Sequence, residues 1–248
     1  MKPRIILVLL LGITLAAVGQ NQQETSVQIM TYNVRHCAGI DMVLDYDRTA
    51  AVISGQNPDI VALQELDSIT GRSGQRYQLG ELAIRTGYYP VFGSAIDYDG
   101  GKYGVGILTQ ERPLSTKRIP LPGEEPRVLL VVEMKDYVLA CTHLDLEEEQ
   151  RLASVPLIVD EAQRWQKPFI LAGDLNDAPD SQLMQEMTKY FTLNSGDRPT
   201  FPANEPTECI DYVASFKTRP VVTLEYNVIE EPAASDHRPL VVRLRLPF

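Results

Sequence analysis

The chain has 248 residues, of which 44% are hydrophobic and 23% charged, a balance that excludes collagen-like, low-complexity and broadly disordered proteins. Its formal net charge is −10, and a strongly negative surface repels polyanions at long range, which counts against a general binder of duplex DNA. The three cysteines, Cys37, Cys141 and Cys209, are too few for a disulfide scaffold and match no zinc-binding spacing.

The start of the chain has the pattern of a signal peptide. Lys2 and Arg4 are followed by the apolar run Ile5–Val18, which ends in small residues suited to cleavage. A membrane-spanning helix needs about 20 residues, so this run is short for an anchor, although an uncleaved N-terminal anchor is the alternative. We expect a signal peptide over residues 1–19, a short polar tail over 20–26, and export to the periplasm or the extracellular space. The mature chain would have a net charge of −12, because the removed segment carries two basic residues and no acidic one.

The rest of the chain alternates between strand-like and helix-like segments, with no linker long enough to divide it. The predicted strands are 27–34, 59–64, 105–109, 128–134, 137–142, 169–172, 210–216, 221–229 and 240–246. The predicted helices are 48–55, 77–86, 147–165 and 181–190. We expect Asp47 to cap the first helix, Gly87 to end the second and Pro156 to kink the third. Because strands outnumber helices and several pair as hairpins, the pattern favours an α+β fold with two facing sheets and the helices outside.

Polar side chains capable of chemistry lie where several of these apolar strands end. They form five groups: Asn33; Gln64-Glu65; Thr142-His143; Gly173-Asp174-Leu175-Asn176; and Ser235-Asp236-His237, just before the final strand. A carboxylate at the end of a buried strand is costly to desolvate unless it meets a metal or a hydrogen-bond donor. Five such groups, spread over the whole chain, indicate convergence on one site.

The residue types fit metal-assisted phosphoryl chemistry. Mg²⁺ prefers a few carboxylate or amide oxygens, which Glu65, Asp236 and Asn33 would supply, and it keeps several waters. A histidine beside a carboxylate acts as an acid or base, or stabilises developing negative charge. Two of the three histidines, His143 and His237, lie inside these groups.

Each of these residues also has a purely structural explanation. Glu65 could cap a helix, and His143 could be a satisfied histidine at a strand end. The segment 174–176 could be a simple turn, since Asp and Asn favour turns, and Asp236-His237 could cap the entry to a strand. A zinc site is a further alternative, weakly supported because the histidines and carboxylates lack helical spacing.

An ordered set of short motifs carries a family resemblance. The motifs are Tyr32-Asn33-Val34, Gln64-Glu65-Leu66, Tyr103-Gly104-Val105-Gly106-Ile107-Leu108, Thr142-His143-Leu144, Gly173-Asp174-Leu175-Asn176, Ile210-Asp211-Tyr212 and Ser235-Asp236-His237. Together they resemble the endonuclease/exonuclease/phosphatase superfamily, which includes pancreatic deoxyribonuclease, abasic-site endonucleases, inositol polyphosphate 5-phosphatases and bacterial sphingomyelinases. Each motif alone is weak, but the full set in this order is highly specific.

The resemblance implies a four-layer α/β/β/α sandwich, formed as a single domain by residues 27–248, with the site at one end of the two sheets. It also implies that Glu65 is the main Mg²⁺ ligand, assisted by Asn33 and Asp236, with Mn²⁺ as an alternative ion.

The same resemblance assigns catalytic roles. His237 would contact the scissile phosphate or act as the acid or base, oriented by Asp211. Asp174 would position or deprotonate the attacking water. Asn176 would bind a phosphate oxygen, and His143 would donate a hydrogen bond to the phosphate.

Two arginines are candidates for substrate contacts. Arg127 resembles a substrate-side arginine of the family. Arg35 lies two residues after Asn33, at a position where many family nucleases have a small or acidic residue. It would either add a phosphate contact or replace a ligand of a second metal. The long phosphoinositide-binding motifs of the 5-phosphatases are not evident, so inositol lipids are not specifically supported.

We therefore predict an exported, monomeric, Mg²⁺-dependent hydrolase that promotes in-line attack of water on phosphorus. A small or lipid-borne phosphodiester or phosphomonoester is favoured over nucleic acid, because 23 basic residues face 33 acidic ones and no run of Lys or Arg would cover several phosphates. The basic residues expected near the site are Arg35, Arg72, Arg76, Lys102 and Arg127, and the loop 68–76 is either a pocket wall or a solvated surface loop. The alternatives are a secreted nuclease acting on DNA or RNA, and a non-catalytic binding module on the same fold.

Overall fold

The computed structural model describes residues 25–247. The predicted signal peptide, residues 1–19, and most of the predicted polar tail lie outside the described residues. Among the described helices, none combines the length and the hydropathy that crossing a membrane requires.

Strands and helices follow one another along the described chain as a mixed α/β fold. The strands are β1 (Ser26–Asn33), β2 (Ile60–Ser68), β3 (Tyr89–Tyr98), β4 (Gly101–Thr109), β5 (Ser115–Leu121), β6 (Arg127–Glu133), β7 (Val138–His143), β8 (Phe169–Asp174), β9 (Phe191–Leu193), β10 (Asp211–Phe216), β11 (Val222–Val228) and β12 (Leu240–Arg245). The helices are α1 (Tyr46–Gln56), α2 (Gln78–Thr86), α3 (Glu148–Ala162) and α4 (Gln182–Tyr190).

The strands form two six-stranded sheets, in the orders β11-β12-β1-β2-β4-β3 and β5-β6-β7-β8-β10-β9. The pairs β1–β2 and β7–β8 are parallel, and the other pairs are antiparallel. Side chains of both sheets meet in one buried cluster, so the sheets pack face to face. Helices α1 and α2 pack on the outer face of the first sheet, and α3 and α4 on that of the second. The predicted four-layer α/β/β/α sandwich is confirmed.

Strand β2 shows why the layers form in this order. Ile60 and Ala62 face the second sheet, whereas Val61 and Leu63 face the helices. A strand buried on both faces needs a continuous apolar run rather than strict alternation, and 60–63 has one. The central strands therefore sit between a helix layer and the other sheet.

Of the two predictions about helix ends, the one for α1 is wrong and the one for α2 is confirmed. The N-cap of α1 is Asp45 rather than the predicted Asp47, because the helix begins two residues earlier and the Asp45 carboxylate accepts from the Arg48 backbone N–H. Asp47 instead pairs with Arg85 of α2. The end of α2 at Gly87 is confirmed, with this glycine in the left-handed conformation at φ 77°. Helix α3 is continuous through Pro156.

The sequence prediction missed the strands β3, β5 and β9. All three lie at the edges of their sheets. Edge strands are half-exposed and tolerate proline and lysine, and Pro90, Lys117 and Pro120 lie within β3 and β5. Such segments lack the apolar alternation that identifies inner strands.

Candidate active site

The strand register brings polar residues of the second sheet into one row. His143 at the end of β7 pairs with Asp174 at the end of β8, and Asp174 pairs with Asp211 at the start of β10. All three side chains are buried. In the first sheet, Asn33 at the end of β1 pairs with Gln64 of β2 at the same end of the sandwich.

The amide of Asn33 joins the two sheets. Its Nδ2 donates to Glu65 Oε1 at 3.0 Å and to Asp174 Oδ2 at 3.1 Å, and its Oδ1 accepts from the Arg35 backbone N–H at 3.1 Å. Asn33 is fully buried, so these bonds satisfy groups that water does not reach. One side chain thus fixes the distance between a carboxylate of each sheet.

A β-bulge turns Glu65 toward the site. Along β2, Leu63 and Leu66 pair with Gly106 and Gly104, so β2 has one residue more than β4 over this stretch. Both leucines face the helices, and the extra residue, Glu65, adopts φ 59°. Strict alternation would place the Glu65 side chain against the helices, and the bulge removes it from that face.

His237 and Asp211 form a buried pair. His237 Nδ1 lies 2.9 Å from Asp211 Oδ2, and the same oxygen accepts from the Thr200 hydroxyl at 2.6 Å. The Phe201 ring lies 4.8 Å from the His237 ring. Burial lowers the pKa of His237, but Asp211, by charge and hydrogen bond, and then Asp174 outweigh it and raise the pKa to about 10. The imidazolium form therefore dominates at neutral pH, with Nε2 placed 3.7 Å from Asp174 Oδ2.

The loop before β12 is fixed to the end of β1. The Ser235 hydroxyl donates to the Asn33 carbonyl at 2.7 Å and accepts from the His237 backbone N–H at 3.3 Å. The next residue, Asp236, pairs with Arg35 at 3.3 Å between Oδ2 and Nε. The cluster 235–237 thus contacts the residues that follow β1.

His143 faces Asp174 without a hydrogen bond. Its Nε2 lies 3.6 Å from Asp174 Oδ2, which is too long for a hydrogen bond, and its buried Nδ1 has no partner among the described residues. Burial lowers the pKa of His143 to about 4, so the ring is neutral at neutral pH. A neutral imidazole offers one N–H donor, as binding a phosphate oxygen would require.

Backbone geometry orients Asp174 and Asn176. A Cβ at Gly173 would lie 2.0 Å from the Thr142 carbonyl oxygen, so only glycine fits before Asp174. The Asn176 backbone N–H donates to Asp174 Oδ1 at 2.9 Å, and the Asn176 amide donates to the Leu144 carbonyl at 2.8 Å. Oδ2 of Asp174 is thereby left facing Asn33 and the histidines.

A sequence model described as the Endonuclease/Exonuclease/phosphatase family matches residues 30–237. The chain belongs to this family, whose members hydrolyse phosphoester bonds. The family resemblance identified in the sequence is confirmed. No curated protein matches the chain in sequence.

Several solved structures have the same fold. An endonuclease/exonuclease/phosphatase of Beutenbergia cavernae is 24% identical, with a TM-score of 0.76 over 89% of this chain and 72% of that one. A Bacteroides vulgatus member of the family is 19% identical, with a TM-score of 0.76 over 90% and 100%. A mannosyl-6-phosphatase of Bacteroides thetaiotaomicron is 17% identical, with a TM-score of 0.73 over 88% and 99%. At these identities the similarity establishes the fold alone.

The charges at this family site favour a divalent cation. Four carboxylates meet here, and the cations beside them are Arg35 and the His237 imidazolium. The carboxylates are Glu65, Asp174, Asp211 and Asp236. Two negative charges remain uncompensated among these groups, which one divalent cation would balance. Burial raises the pKa of Glu65, a donated bond from Asn33 opposes that rise, and Asp236 adds to it.

Two positions near these residues have the donors for a metal. Asp174, Asp211 and His237 have ligand atoms within 4.8 Å of one another. However, the nearest oxygen of Asp211 already faces His237 Nδ1, so this trio is better explained as a hydrogen-bonded His–Asp pair beside a second carboxylate. Among the described residues, only Asn33 donates a side-chain hydrogen bond to the Glu65 carboxylate, which is therefore the better ligand. Asn33 would coordinate a cation only with its amide turned over, since it now presents nitrogen to both carboxylates.

Arg127 lies beside His143 at the start of β6. Both side chains line a small cavity with Tyr103, and Arg127 is only 8% exposed. Its Nη1 pairs with Glu125 at 3.0 Å, and its Nε lies 3.7 Å from Asp145 Oδ2. The Arg127 guanidinium therefore lies at the same end of the sheets as His143, and its substrate role stays a prediction.

Sequence reasoning missed Thr200 and Phe201, which contact the His237–Asp211 pair. They belong to an irregular loop before β10, and neither residue type nor spacing distinguishes them. Only their contacts identify them.

Proposed function

We propose that the protein is a Mg²⁺-dependent hydrolase of small phosphate esters, either free or borne on a lipid. The observation that carries this proposal is the single hydrogen-bonded cluster that joins Glu65, Asn33 and Asp174 and meets the His237–Asp211 pair. A binding module needs neither an oriented acid nor an imidazolium beside it, so this arrangement favours an enzyme over the non-catalytic alternative.

The metal would be held by Glu65, assisted by Asp236 and by Asn33 with its amide turned over to present oxygen. When bound, Mg²⁺ neutralises charge that develops on the transferring phosphoryl group. A zinc site is less well supported, because oxygen donors outnumber nitrogen donors here and oxygen suits the harder ion.

The other residues would act on water and phosphate. Asp174 has Oδ1 held by the Asn176 N–H, and its Oδ2, which also accepts from Asn33, has a second lone pair that would orient a water and take its proton. The His237 imidazolium would donate to a phosphate oxygen, with Asp211 stabilising its charge and fixing its ring. His143 and Asn176 would add neutral donors.

The pairing of basic residues supports a small substrate. Arg72 donates from Nε and Nη2 to the buried carboxylate of Asp67, and its guanidinium lies over the rings of Tyr98 and Tyr103. Its role is therefore to anchor the loop 68–76. The other predicted site cations also have acidic partners, in the pairs Arg35–Asp236, Arg76–Glu81, Lys102–Asp97 and Arg127–Glu125. A duplex track needs Lys and Arg free to cover several phosphates.

The mannosyl-6-phosphatase with the same fold offers a concrete member of this substrate class, a phosphomonoester on a sugar. We include sugar phosphates with bis-p-nitrophenyl phosphate, p-nitrophenyl phosphate and sphingomyelin in the substrate screen. A secreted nuclease acting on DNA or RNA is the alternative, since acidic proteins also cut nucleic acid.

Competition kinetics distinguishes the two substrate classes. In Mg²⁺ we expect a small phosphoester to be hydrolysed with the higher kcat/KM, and kcat/KM to change little between low and high salt, because few counterions are released. Plasmid DNA that is cut far more efficiently, with kcat/KM falling steeply as salt rises, would contradict this expectation.

Export is also part of the proposal, and it rests on the sequence of residues 1–19. We expect a mature N-terminus near Gln20, because the charged start and the short apolar run precede it. Mass spectrometry of the protein from its native compartment measures this end. Intact Met1 on most of the protein would show that the segment is not removed.

A further inference from the structure

A buried amide lies directly beneath the proposed metal site. Gln64 is fully buried between the sheets. Its Nε2 donates to Cys141 Sγ at 3.3 Å, and its Oε1 accepts from the Thr31 hydroxyl at 3.3 Å. The Cys141 thiol in turn donates to the Leu63 carbonyl at 3.6 Å. These bonds connect β1 and β2 of the first sheet with β7 of the second.

Each connected strand carries a residue of the site. Thr31 lies two residues before Asn33 on β1, and Cys141 lies two residues before His143 on β7. Gln64 immediately precedes Glu65 at the bulge of β2. The network therefore lies just below the point at which the three strands present their polar ends.

Stability alone does not explain an amide at this place. The surrounding cluster is apolar, and an apolar side chain of similar length would fill the same space without a polar group to satisfy. The amide differs from an apolar side chain because it both donates and accepts hydrogen bonds, and it therefore holds its partners in one fixed arrangement. Glu65 needs such support, since its φ of 59° is a strained conformation that the surroundings must hold.

We propose that Gln64 is a positioning residue that holds the Glu65 bulge at a fixed distance from β1 and β7, so that Glu65 and Asn33 converge on one cation. The inference rests on the proposed function, since it takes Glu65 as the metal ligand. Gln64 would act through Glu65, since it would contact neither the metal nor the substrate.

Gln64→Met tests the proposal, because methionine has a similar length and no amide. Residues that orient metal ligands typically alter metal affinity by about tenfold or more, so we expect the Kd for Mg²⁺, measured by calorimetric titration with the metal alone, to rise by about tenfold. Ile60→Val is the matched control, since it also perturbs β2 within the inter-sheet core but lies at the other end of the strand. It should lower Tm while leaving the Kd for Mg²⁺ unchanged.

Thr31→Val provides a second variant should Gln64→Met fail to fold, because it removes only the hydroxyl that donates to Gln64. A weaker Mg²⁺ affinity in either variant, beside a normal affinity in Ile60→Val, supports the proposal. Unchanged affinity in a folded Gln64→Met, or in Thr31→Val if only that variant folds, overturns it. If the unchanged protein binds no Mg²⁺, or Glu65→Gln binds it equally well, the proposed metal site itself is wrong and this inference falls with it.

Discussion

His237→Ala is expected to lower kcat by about a thousandfold, the upper end of the scale for losing a preorganised donor to the phosphate. Asp211→Asn should lower kcat by about a hundredfold or more, because an amide no longer stabilises the imidazolium or fixes its ring. Since the two residues act as one unit, the double variant should be little slower than His237→Ala. Steady-state kinetics on a small phosphoester in saturating Mg²⁺ measures all three.

Stability must be followed in the same series. His237→Ala leaves Asp211 buried without its cation, which costs about 3–5 kcal/mol, so kcat is compared well below each variant's Tm. His36→Asn is the control, because the His36 side chain makes no hydrogen bond to a described residue and asparagine tolerates its φ of 45°. Strictly additive losses would show that Asp211 is only structural.

Glu65→Gln should lower activity by about a hundredfold to a thousandfold, the loss expected when a metal that contributes several kcal/mol to the transition state is weakly held. Excess Mg²⁺ should restore part of that activity. The fold should persist, because a neutral amide of the same shape removes a buried charge whose desolvation already raises the pKa of Glu65.

Thermal unfolding offers a readout that does not depend on catalysis. A ligand that binds only the folded state stabilises it by about 2.7 kcal/mol at a hundred times its Kd, so Mg²⁺ should raise the Tm of the unchanged protein. Glu65→Gln should lose most of this shift, whereas Glu133→Gln, a surface carboxylate paired with Lys167, should keep it. Full activity in EDTA, with metal shown to be absent, would contradict a metal mechanism.

The sequence indicated much of the site because its residues lie at the ends of inner strands. His143 and Asp174 end apolar runs on parallel neighbours of the second sheet, as Asn33 and Gln64 do on those of the first, and parallel pairing brings the two ends of each pair together. Thr200 could not be identified in this way, because it reaches Asp211 from an irregular loop. Gln64 was recognised as a polar strand end and as part of a motif, but no role could be assigned to it, since its partners Thr31 and Cys141 are distant in sequence and ordinary in type.

The sequence also did not predict the partners of Arg72. Its place after Glu65 suggested a pocket wall or a surface loop, and either interpretation leaves its charge available. The structure instead commits the guanidinium to Asp67 and to two tyrosine rings. The partners of Arg72 lie on three different strands, β2, β3 and β4. Residue type and spacing in the sequence do not reveal that these strands bring them together.

The neighbouring position of the first and last strands has a consequence for biosynthesis. β1 lies between β2 and β12, so its second edge remains unpaired until residues 240–245 have been made. Asn33 belongs to the first of these strands, and Asp236 and His237 directly precede the last. A nascent or prematurely terminated chain therefore exposes an open strand edge prone to aggregation and lacks part of the reaction centre. The site is complete only once residues 236–245 have been made, so we expect a chain that stops before β12 to be inactive.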